Sequence, residues 1–195
     1  MTHLAEKLSP PITKMIRFDH THVMLTFHRF QTETAPARKQ AIANTICLAL
    51  EIHAQLEEEI FYPALAQVAS DNDALKKAKP EHDEMRRLIA ELRGMTPDLP
   101  AFDRTLQALM RDVIHHVADE ETLLLPAAEL LLKDRLCELG AQMTKRRLAL
   151  AGPRIGEITS NTAKAMPGMT LMLAGTLLAG AYLVKRAFAP RETQA

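Results

Sequence analysis

The sequence predicts an all-α protein, an up-down four-helix bundle followed by a single C-terminal transmembrane helix. Hydrophobic residues make up 47% of the 195-residue chain, yet only 4% is aromatic and tryptophan is absent, which favours a helical core of Leu, Ala, Ile and Met over a β-sandwich. Only two of the seven glycines lie in the first 150 residues, as long helices require. A long uncharged stretch then lies near the C-terminus.

The bundle is predicted to contain four long helices with short connections, which makes consecutive helices antiparallel neighbours. They cover about residues 13–31, 35–69, 73–93 and 100–150. Pro63 is expected to kink or end the second helix, and Pro126 is expected to interrupt the fourth. Pro80 lies near the expected start of the third helix, and Gly94 closes it.

One sequence phrase occurs twice, a histidine followed by a glutamate at the fourth residue and a proline at the tenth. It appears as HAQLEEEIFYP from His53 and within HHVADEETLLLP from His116, and its three residues recur 63 positions apart. An acid–histidine pair also recurs, at His20 and His82, with a separation of 62 positions. The bundle is therefore predicted to consist of two helical hairpins related by an internal repeat.

The repeated polar residues share helix faces with apolar residues, because positions i, i+3, i+4 and i+7 lie on one side of a helix. Six of them are therefore expected to point into the interior: His20, His53, Glu57, His82, His116 and Glu120. An isolated core histidine or a solvated His–Glu pair does not explain a duplicated phrase. Unpaired buried charges cost several kcal/mol each, and metal ions compensate that cost. Imidazole with carboxylate favours iron, manganese or zinc, and two such ions can share two carboxylates.

Several neighbouring residues could also contribute to the site. His22 and His115 could replace the histidines beside them, whereas His3 and His28 are assigned no function. The remaining neighbours are expected to be solvated or to support the ligands rather than bind metal: Glu58, Glu121, Tyr62, Asp19 and Glu81.

These motifs together resemble the hemerythrin HHE cation-binding domain, over about residues 10–150. The resemblance implies an up-down four-helix bundle with an oxo- or hydroxo-bridged pair of non-haem irons, in preference to manganese or zinc. Carried over motif by motif, the terminal nitrogen ligands are His20, His53, His82 and His116, and the bridging carboxylates are Glu57 and Glu120. Oxygen-carrying hemerythrins have an additional histidine at the position that Arg86 occupies in this sequence.

The set of four histidines and two glutamates is more similar to the bacterial branch that includes iron-centre repair proteins. Fewer protein ligands leave more open positions on the irons, which favours reaction with oxygen, nitric oxide or peroxide. The resemblance thus implies sensing, carriage or an iron or redox stress response. Two alternatives stay open: a di-iron enzyme, such as a nitric oxide or peroxide reductase or an iron-sulfur repair factor, and an accessory structural subunit of a membrane complex.

The C-terminal region is predicted to attach the bundle to a membrane. Residues 151–166 read as a linker, 167–186 as a transmembrane helix and 187–195 as a short polar tail. The uncharged run at 167–184 has 18 residues, and a spanning helix needs about 20 but can manage with about 17. A terminal helix docked on the bundle is the alternative. No secretory signal precedes the bundle, so we expect it to face the cytoplasm.

The net charge indicates the class of partner, and the cysteine spacing indicates the redox state of the thiols. The formal net charge is zero, so a globally basic surface for nucleic acid is not expected. Cys47 and Cys137 stand far from any CxxC spacing and are predicted to be reduced. The expected partners are a small diatomic gas or peroxide, the membrane and, through it, a membrane protein complex.

Overall fold

The computed structural model describes residues 9–165, and all the regular secondary structure in that range is helical. In chain order the α-helices are α1 (Ile12–Phe27), α2 (Pro36–Leu56), α3 (Tyr62–Ala66), α4 (Asp73–Arg93), α5 (Pro100–Asp119), α6 (Leu125–Leu131), α7 (Leu136–Ala151) and α8 (Ile155–Ala165). Two π-helical turns, Glu57–Phe61 and Glu120–Leu124, join α2 to α3 and α5 to α6, and a 3₁₀ turn, Gly152–Arg154, joins α7 to α8. The prediction of an all-α helical bundle is confirmed.

Local sequence signals explain where the long helices begin. Pro36 and Pro100 occupy the first position of α2 and α5, where a missing N–H is not needed. The Asn72 side chain accepts a hydrogen bond from the backbone N–H of Leu75, 3.2 Å away, and caps the start of α4. The helix begins at Asp73, as predicted, so Pro80 lies inside α4 rather than near its start.

The helices do not stop at the two repeated prolines; a π-helical turn precedes each proline and the helix continues beyond it. Pro63 and Pro126 have no N–H with which to continue an ordinary i to i−4 hydrogen-bond pattern. In the turn before each proline the pattern widens to i to i−5. The N–H of Tyr62 donates to the carbonyl of Glu57, and the N–H of Leu125 donates to the carbonyl of Glu120. Single π turns of this kind are frequent at functional sites. The predicted interruption at Pro126 is therefore wrong.

The break in the last predicted helix falls later, between α6 and α7, so a fifth long helix is present. Leu132 leaves helical geometry, with φ −114° and ψ 19°, and its carbonyl accepts a hydrogen bond from the N–H of Arg135 at 2.8 Å. The turn lets α7 fold back and bury Leu139 and Met143 in the core. Residues 132–135 contain neither glycine nor proline, so the sequence carried no strong signal for this turn.

Within the predicted linker, residues 152–165 form the 3₁₀ turn and α8, which packs along α2. Its polar residues fit a helix because the Thr159 hydroxyl donates to the Ile155 carbonyl at 2.9 Å, while Asn161 and Ala165 are buried. The predicted transmembrane helix at 167–186 and polar tail at 187–195 lie outside the described residues. Among the helices of residues 9–165, none is long and apolar enough to cross a membrane.

The hydrophobic core consists of two clusters. One includes Ile46 and Leu50, on α2 before His53, and the other includes Leu56 and Phe61, which follow it along the chain. The buried polar residues of the middle of the bundle therefore lie between two apolar clusters, in a position from which water is largely excluded.

Candidate metal centre

The structure brings the six predicted site residues together in the centre of the bundle. Each of these residues is buried, with at most 5% of the residue's surface exposed. They come from α1, α2, α4, α5 and the first positions of the two π turns: His20, His53, His82, His116, Glu57 and Glu120. The predicted inward orientation is confirmed, whereas the assignment of these residues as metal ligands stays a prediction.

The inward-facing atoms form two groups that each have the dimensions of a metal site. In each group, one possible ligand atom per residue lies within 4.8 Å of all the others; the groups are His20, His53, Glu57 and Glu120, and Glu57, His82 and His116. Glu57 belongs to both groups, as a bridging carboxylate would. Glu120 also reaches the second group, because its Oε2 lies 3.6 Å from His116 Nε2.

The Nε2 atoms of the histidines face this centre. His53 Nε2 lies 3.1 Å from Glu57 Oε2, and His20 Nε2 lies 3.1 Å from Glu120 Oε2. On the other side, the Nε2 atoms of His82 and His116 are 3.0 Å apart. Two imidazole nitrogens at that distance, both directed at the same point, are suited to sharing one cation.

The opposite ring nitrogen of every histidine faces a carboxylate. The Nδ1 partners are Glu121 for His20 at 2.9 Å, Asp19 for His53 at 3.5 Å, Glu58 for His82 at 3.1 Å and Glu81 for His116 at 2.8 Å. Metal-binding histidines characteristically donate this second N–H to a carboxylate, which fixes the ring and leaves Nε2 as the free ligand atom. The four acidic neighbours left open by the sequence therefore contact the histidines from outside the centre.

These carboxylates follow the internal repeat. Glu121 and Glu58 contact the histidine of the other hairpin, whereas Asp19 and Glu81 contact the histidine of their own. The centre thus has an approximate two-fold arrangement that agrees with the 62- and 63-residue spacings.

Tyr62 breaks this approximate symmetry. Its hydroxyl donates to Glu120 Oε1 at 2.8 Å and lies 3.2 Å from Glu57 Oε2 and 3.3 Å from His82 Nε2. The position 63 residues later is Leu125, which has no polar group. Burial, and then the charges of the two glutamates, raise the pKa of Tyr62 well above its usual value, so the phenol stays a hydrogen-bond donor.

The electrostatics of the centre favour a cation. Burial raises the pKa of Glu57 well above its usual value, and the neighbouring Glu120 raises it further. Burial would also raise the pKa of Glu120, but its close contact with His20 and the nearby histidines lower it. Burial lowers the pKa of His53 to about 4. The raised pKa keeps Glu57 protonated in the metal-free centre, and a bound cation would allow both carboxylates to ionise.

Unsatisfied polar atoms provide a direct test of whether these residues fit a metal. In the part of the chain that the structure describes, four inward-facing atoms have no hydrogen-bond partner: His20 Nε2, His53 Nε2, Glu57 Oε1 and Glu120 Oε2. Buried polar atoms without a partner cost about 1–3 kcal/mol each. Coordination to metal ions gives them partners, so the residues fit a metal centre.

A small cavity adjoins the histidines. Its volume is about 10 Å³, close to the roughly 10–15 Å³ that one water molecule needs. The four histidines line it with apolar side chains that include Val23, Leu50, Met85 and Val113. A ligand that enters this cavity must therefore be very small.

The remaining candidates lie away from the centre. His22 and His115 are exposed, so neither replaces its neighbour, and His28 is also exposed. Arg86, at the position of the additional histidine in oxygen carriers, donates to Glu58 Oε1 at 2.8 Å. Cys47 and Cys137 are free thiols, as predicted.

A helical bundle with a core of four imidazoles and two carboxylates belongs to the class of bundle proteins that hold metal between their helices. The family model described as the Hemerythrin HHE cation binding domain matches residues 12–128. The chain therefore belongs to the hemerythrin HHE family, which binds metal cations. Both the resemblance inferred from the motifs and the presence of a His/Glu metal-binding cluster are confirmed.

Two individual relatives were also found. The crystal structure of a hemerythrin HHE cation-binding domain-containing protein from Mycobacterium kansasii is 19% identical, with a TM-score of 0.64, and covers 80% of this chain and 97% of that chain. This likeness supports the fold. A protein described as a DNA nickase from Nostoc sp. (strain PCC 7120) is 28% identical over 156 residues, which are 80% of this chain but only 44% of that protein. The chain thus spans less than half the length of this relative.

Proposed function

We propose that this protein is a membrane-tethered, non-haem di-iron protein that binds or reacts with oxygen, nitric oxide or peroxide, in sensing, carriage or a response to iron or redox stress. The observation that carries the proposal is the arrangement of the four histidines. Each has Nε2 directed at the centre and Nδ1 facing a carboxylate.

Iron is the metal that the resemblance to the family implies, ahead of manganese or zinc. Nitrogen ligands combined with bridging carboxylates suit iron, manganese or zinc better than calcium or magnesium. Two groups of donors that share Glu57 support two ions rather than one. With two histidines and the shared glutamates at each ion, the protein leaves coordination positions for an external ligand.

When bound, iron supplies electrons and a Lewis-acid position to the ligand. The protein's own residues orient the metal ligands and exclude larger molecules from the cavity. The Nδ1 carboxylates fix the imidazole rings, the Tyr62 hydroxyl orients the Glu120 carboxylate, and the apolar walls around Val23 and Val113 limit the cavity to a very small ligand. Ligands with only two heavy atoms, such as a diatomic gas or peroxide, come closest to this size limit.

Membrane attachment rests on the uncharged segment 167–184, which follows α8 closely in the sequence and has 18 residues, enough for a short span. Under the proposal the bundle faces the cytoplasm and a membrane complex is a candidate partner.

A di-iron enzyme that reduces nitric oxide or peroxide is the second candidate. The buried Tyr62 hydroxyl favours it, because a hydrogen-bond donor fixed beside the metal ligands can stabilise negative charge that develops during reduction. The nicking activity named for the Nostoc relative is not carried over, because more than half of that protein lies beyond the match.

The deciding experiment is elemental analysis of the purified full-length chain in mild detergent, combined with optical spectra of the reduced protein before and after separate exposure to oxygen, nitric oxide and hydrogen peroxide. Two irons per chain and a spectral change support the proposal. Continuous consumption of nitric oxide or peroxide with a reductant favours the enzyme, and one stoichiometric change favours a sensor or carrier. Absence of iron after growth and purification with iron would refute both.

A further inference from the structure

The four carboxylates that contact histidine Nδ1 atoms differ in their own partners. Asp19 accepts two hydrogen bonds from Arg147, both 2.6 Å long, and Glu58 accepts one from Arg86 at 2.8 Å. Among the residues that the structure describes, Glu81 and Glu121 have no arginine partner. The approximate two-fold symmetry of the histidines and glutamates therefore does not extend to the arginines.

Arg147 comes from outside the region that matches the family. It lies on α7, whereas the family match ends at residue 128. The internal repeat has no counterpart of this helix. At the 62-residue spacing that relates His20 to His82, the position equivalent to Arg86 is Met24. Both arginine contacts are thus additions to the repeated bundle.

The docking of α7 fixes the position of Arg147. Gly140 approaches the start of α1 so closely that a Cβ atom there would lie 2.0 Å from the Pro10 carbonyl oxygen. One turn later Met143 is fully buried, and Arg146 binds Glu59 through two contacts of 2.6 and 2.9 Å. These contacts hold α7 against the bundle and place the Arg147 guanidinium on Asp19.

The contact between Asp19 and His53 is the longest of the four, with 3.5 Å between Oδ2 and Nδ1, and it is a close polar contact rather than a hydrogen bond. A short aspartate side chain at this distance controls the ring only if the carboxylate itself is held in one orientation. The planar, two-pronged guanidinium of Arg147 does this, because it binds both carboxylate oxygens at once.

We infer that α7 stabilises one of the two metal positions. Arg147 holds Asp19, and Asp19 orients His53. Retention of the ion bound by the group of His20 and His53 therefore depends on a helix outside the region that matches the family. Arg86 acts similarly, through Glu58 and His82, on the other ion. The inference rests on the proposed function, because it requires two bound ions. Arg147 is a positioning residue and does not touch metal or ligand.

The test measures iron release from the full-length protein loaded anaerobically with Fe²⁺ and mixed with a chromogenic ferrous chelator. Loss of a contact behind a metal-binding histidine typically lowers metal affinity about 10–100-fold. In Arg147→Met, one iron per chain is expected to leave faster by about that factor, while the other leaves as in the wild type. Arg86→Met should accelerate the other iron, and the double variant should accelerate both.

The matched control is Arg93→Met, which removes a two-point ion pair with Glu51 and touches neither α7 nor a carboxylate that contacts a histidine, so both irons should leave as in the wild type. If Arg147→Met is poorly folded by circular dichroism, Arg147→Lys is used, and one iron should still leave faster, but less so. Release identical to that of the wild type, or equal acceleration of both irons, would overturn the inference. A wild type that holds no iron would refute the proposed function, and the inference with it.

Discussion

The Tyr62 hydroxyl donates a 2.8 Å hydrogen bond to Oε1 of Glu120, 58 residues away and in the other hairpin. The residue that the repeat places opposite Tyr62 is Leu125, which is also buried but has no hydroxyl to donate. One half of the centre therefore has a hydrogen-bond donor that the other half lacks.

Replacement Tyr62→Phe should lower the free energy of unfolding of the metal-free protein by about 1–3 kcal/mol. The buried Glu120 oxygen loses its donor in this variant, and a buried unpaired acceptor costs about that much. Urea denaturation followed by circular dichroism measures the change. Leu125→Met is the matched control at the equivalent position and should cost less than about 1.5 kcal/mol. Equal stabilities of Tyr62→Phe and the wild type would mean that the hydrogen bond is unimportant.

Replacement of a predicted ligand should lower the metal content without unfolding the bundle. His53→Ala removes a buried nitrogen that lies 3.1 Å from the Glu57 carboxylate, and we expect at least one ion per chain to be lost. Mass spectrometry of the metal in the purified variant measures this. His28→Ala, in which an exposed histidine outside the centre is removed, should keep the wild-type content. Full occupancy in His53→Ala would rule out its role as a ligand.

The two helical glycines Gly140 and Gly156 should respond oppositely to alanine. A methyl group at Gly140 would collide with the backbone of Pro10, so Gly140→Ala should destabilise the protein by about 1–3 kcal/mol. At Gly156 no atom lies within 4 Å of the added methyl, and alanine should stabilise α8 by about 0.5–1 kcal/mol. Thermal unfolding of both variants tests this. A Gly140→Ala variant as stable as the wild type would contradict the close packing of α7 on the start of α1.

The two thiols should differ in reactivity. Burial raises the pKa of the Cys47 thiol to about 12, so its reactive thiolate is scarce at pH 8, whereas Cys137 is partly exposed. Iodoacetamide at pH 8 should therefore modify Cys137 well before Cys47, as measured by peptide mass spectrometry. Because the folded-state pKa is raised, Cys47 should contribute stability below about pH 9 that is lost as the pH rises towards 12. Cys47→Ala should show a weaker loss over this interval, and equal labelling of both thiols in the folded protein would contradict the prediction.

The repeated centre could be predicted from the sequence because it depends on local periodicity. The spacing from His53 to Glu57, and from His116 to Glu120, places each pair on one helix face in any α-helix, and the apolar neighbours show which face is buried. The boundaries 73–93 of α4 were also predictable, since Asn72 and Gly94 are ordinary helix-end residues.

Features that depend on contacts between distant segments were not predictable in the same way. The turn at Leu132 forms because Leu139 and Met143 can then reach the core next to α1. No glycine or proline at the turn indicates it in the sequence. The helix at Ile155–Ala165 was not predicted, because it gains stability from the burial of Asn161 and Ala165 against α2 rather than from a strong helix propensity. The asymmetry of Tyr62 was visible in the repeat, as Tyr62 against Leu125, but its contacts were not.

The reciprocal contacts of Glu58 with His82 and of Glu121 with His20 have a consequence for the origin of the chain. In each hairpin the carboxylate that contacts the first histidine comes from the other hairpin. The subunits of a symmetric dimer exchange contacts in the same reciprocal way. A protein consisting of a single hairpin would complete the same set of contacts by pairing with a second copy of itself. The present chain has the arrangement that duplication and fusion of such a self-pairing hairpin would produce, and Tyr62 and the arginine contacts distinguish its two halves.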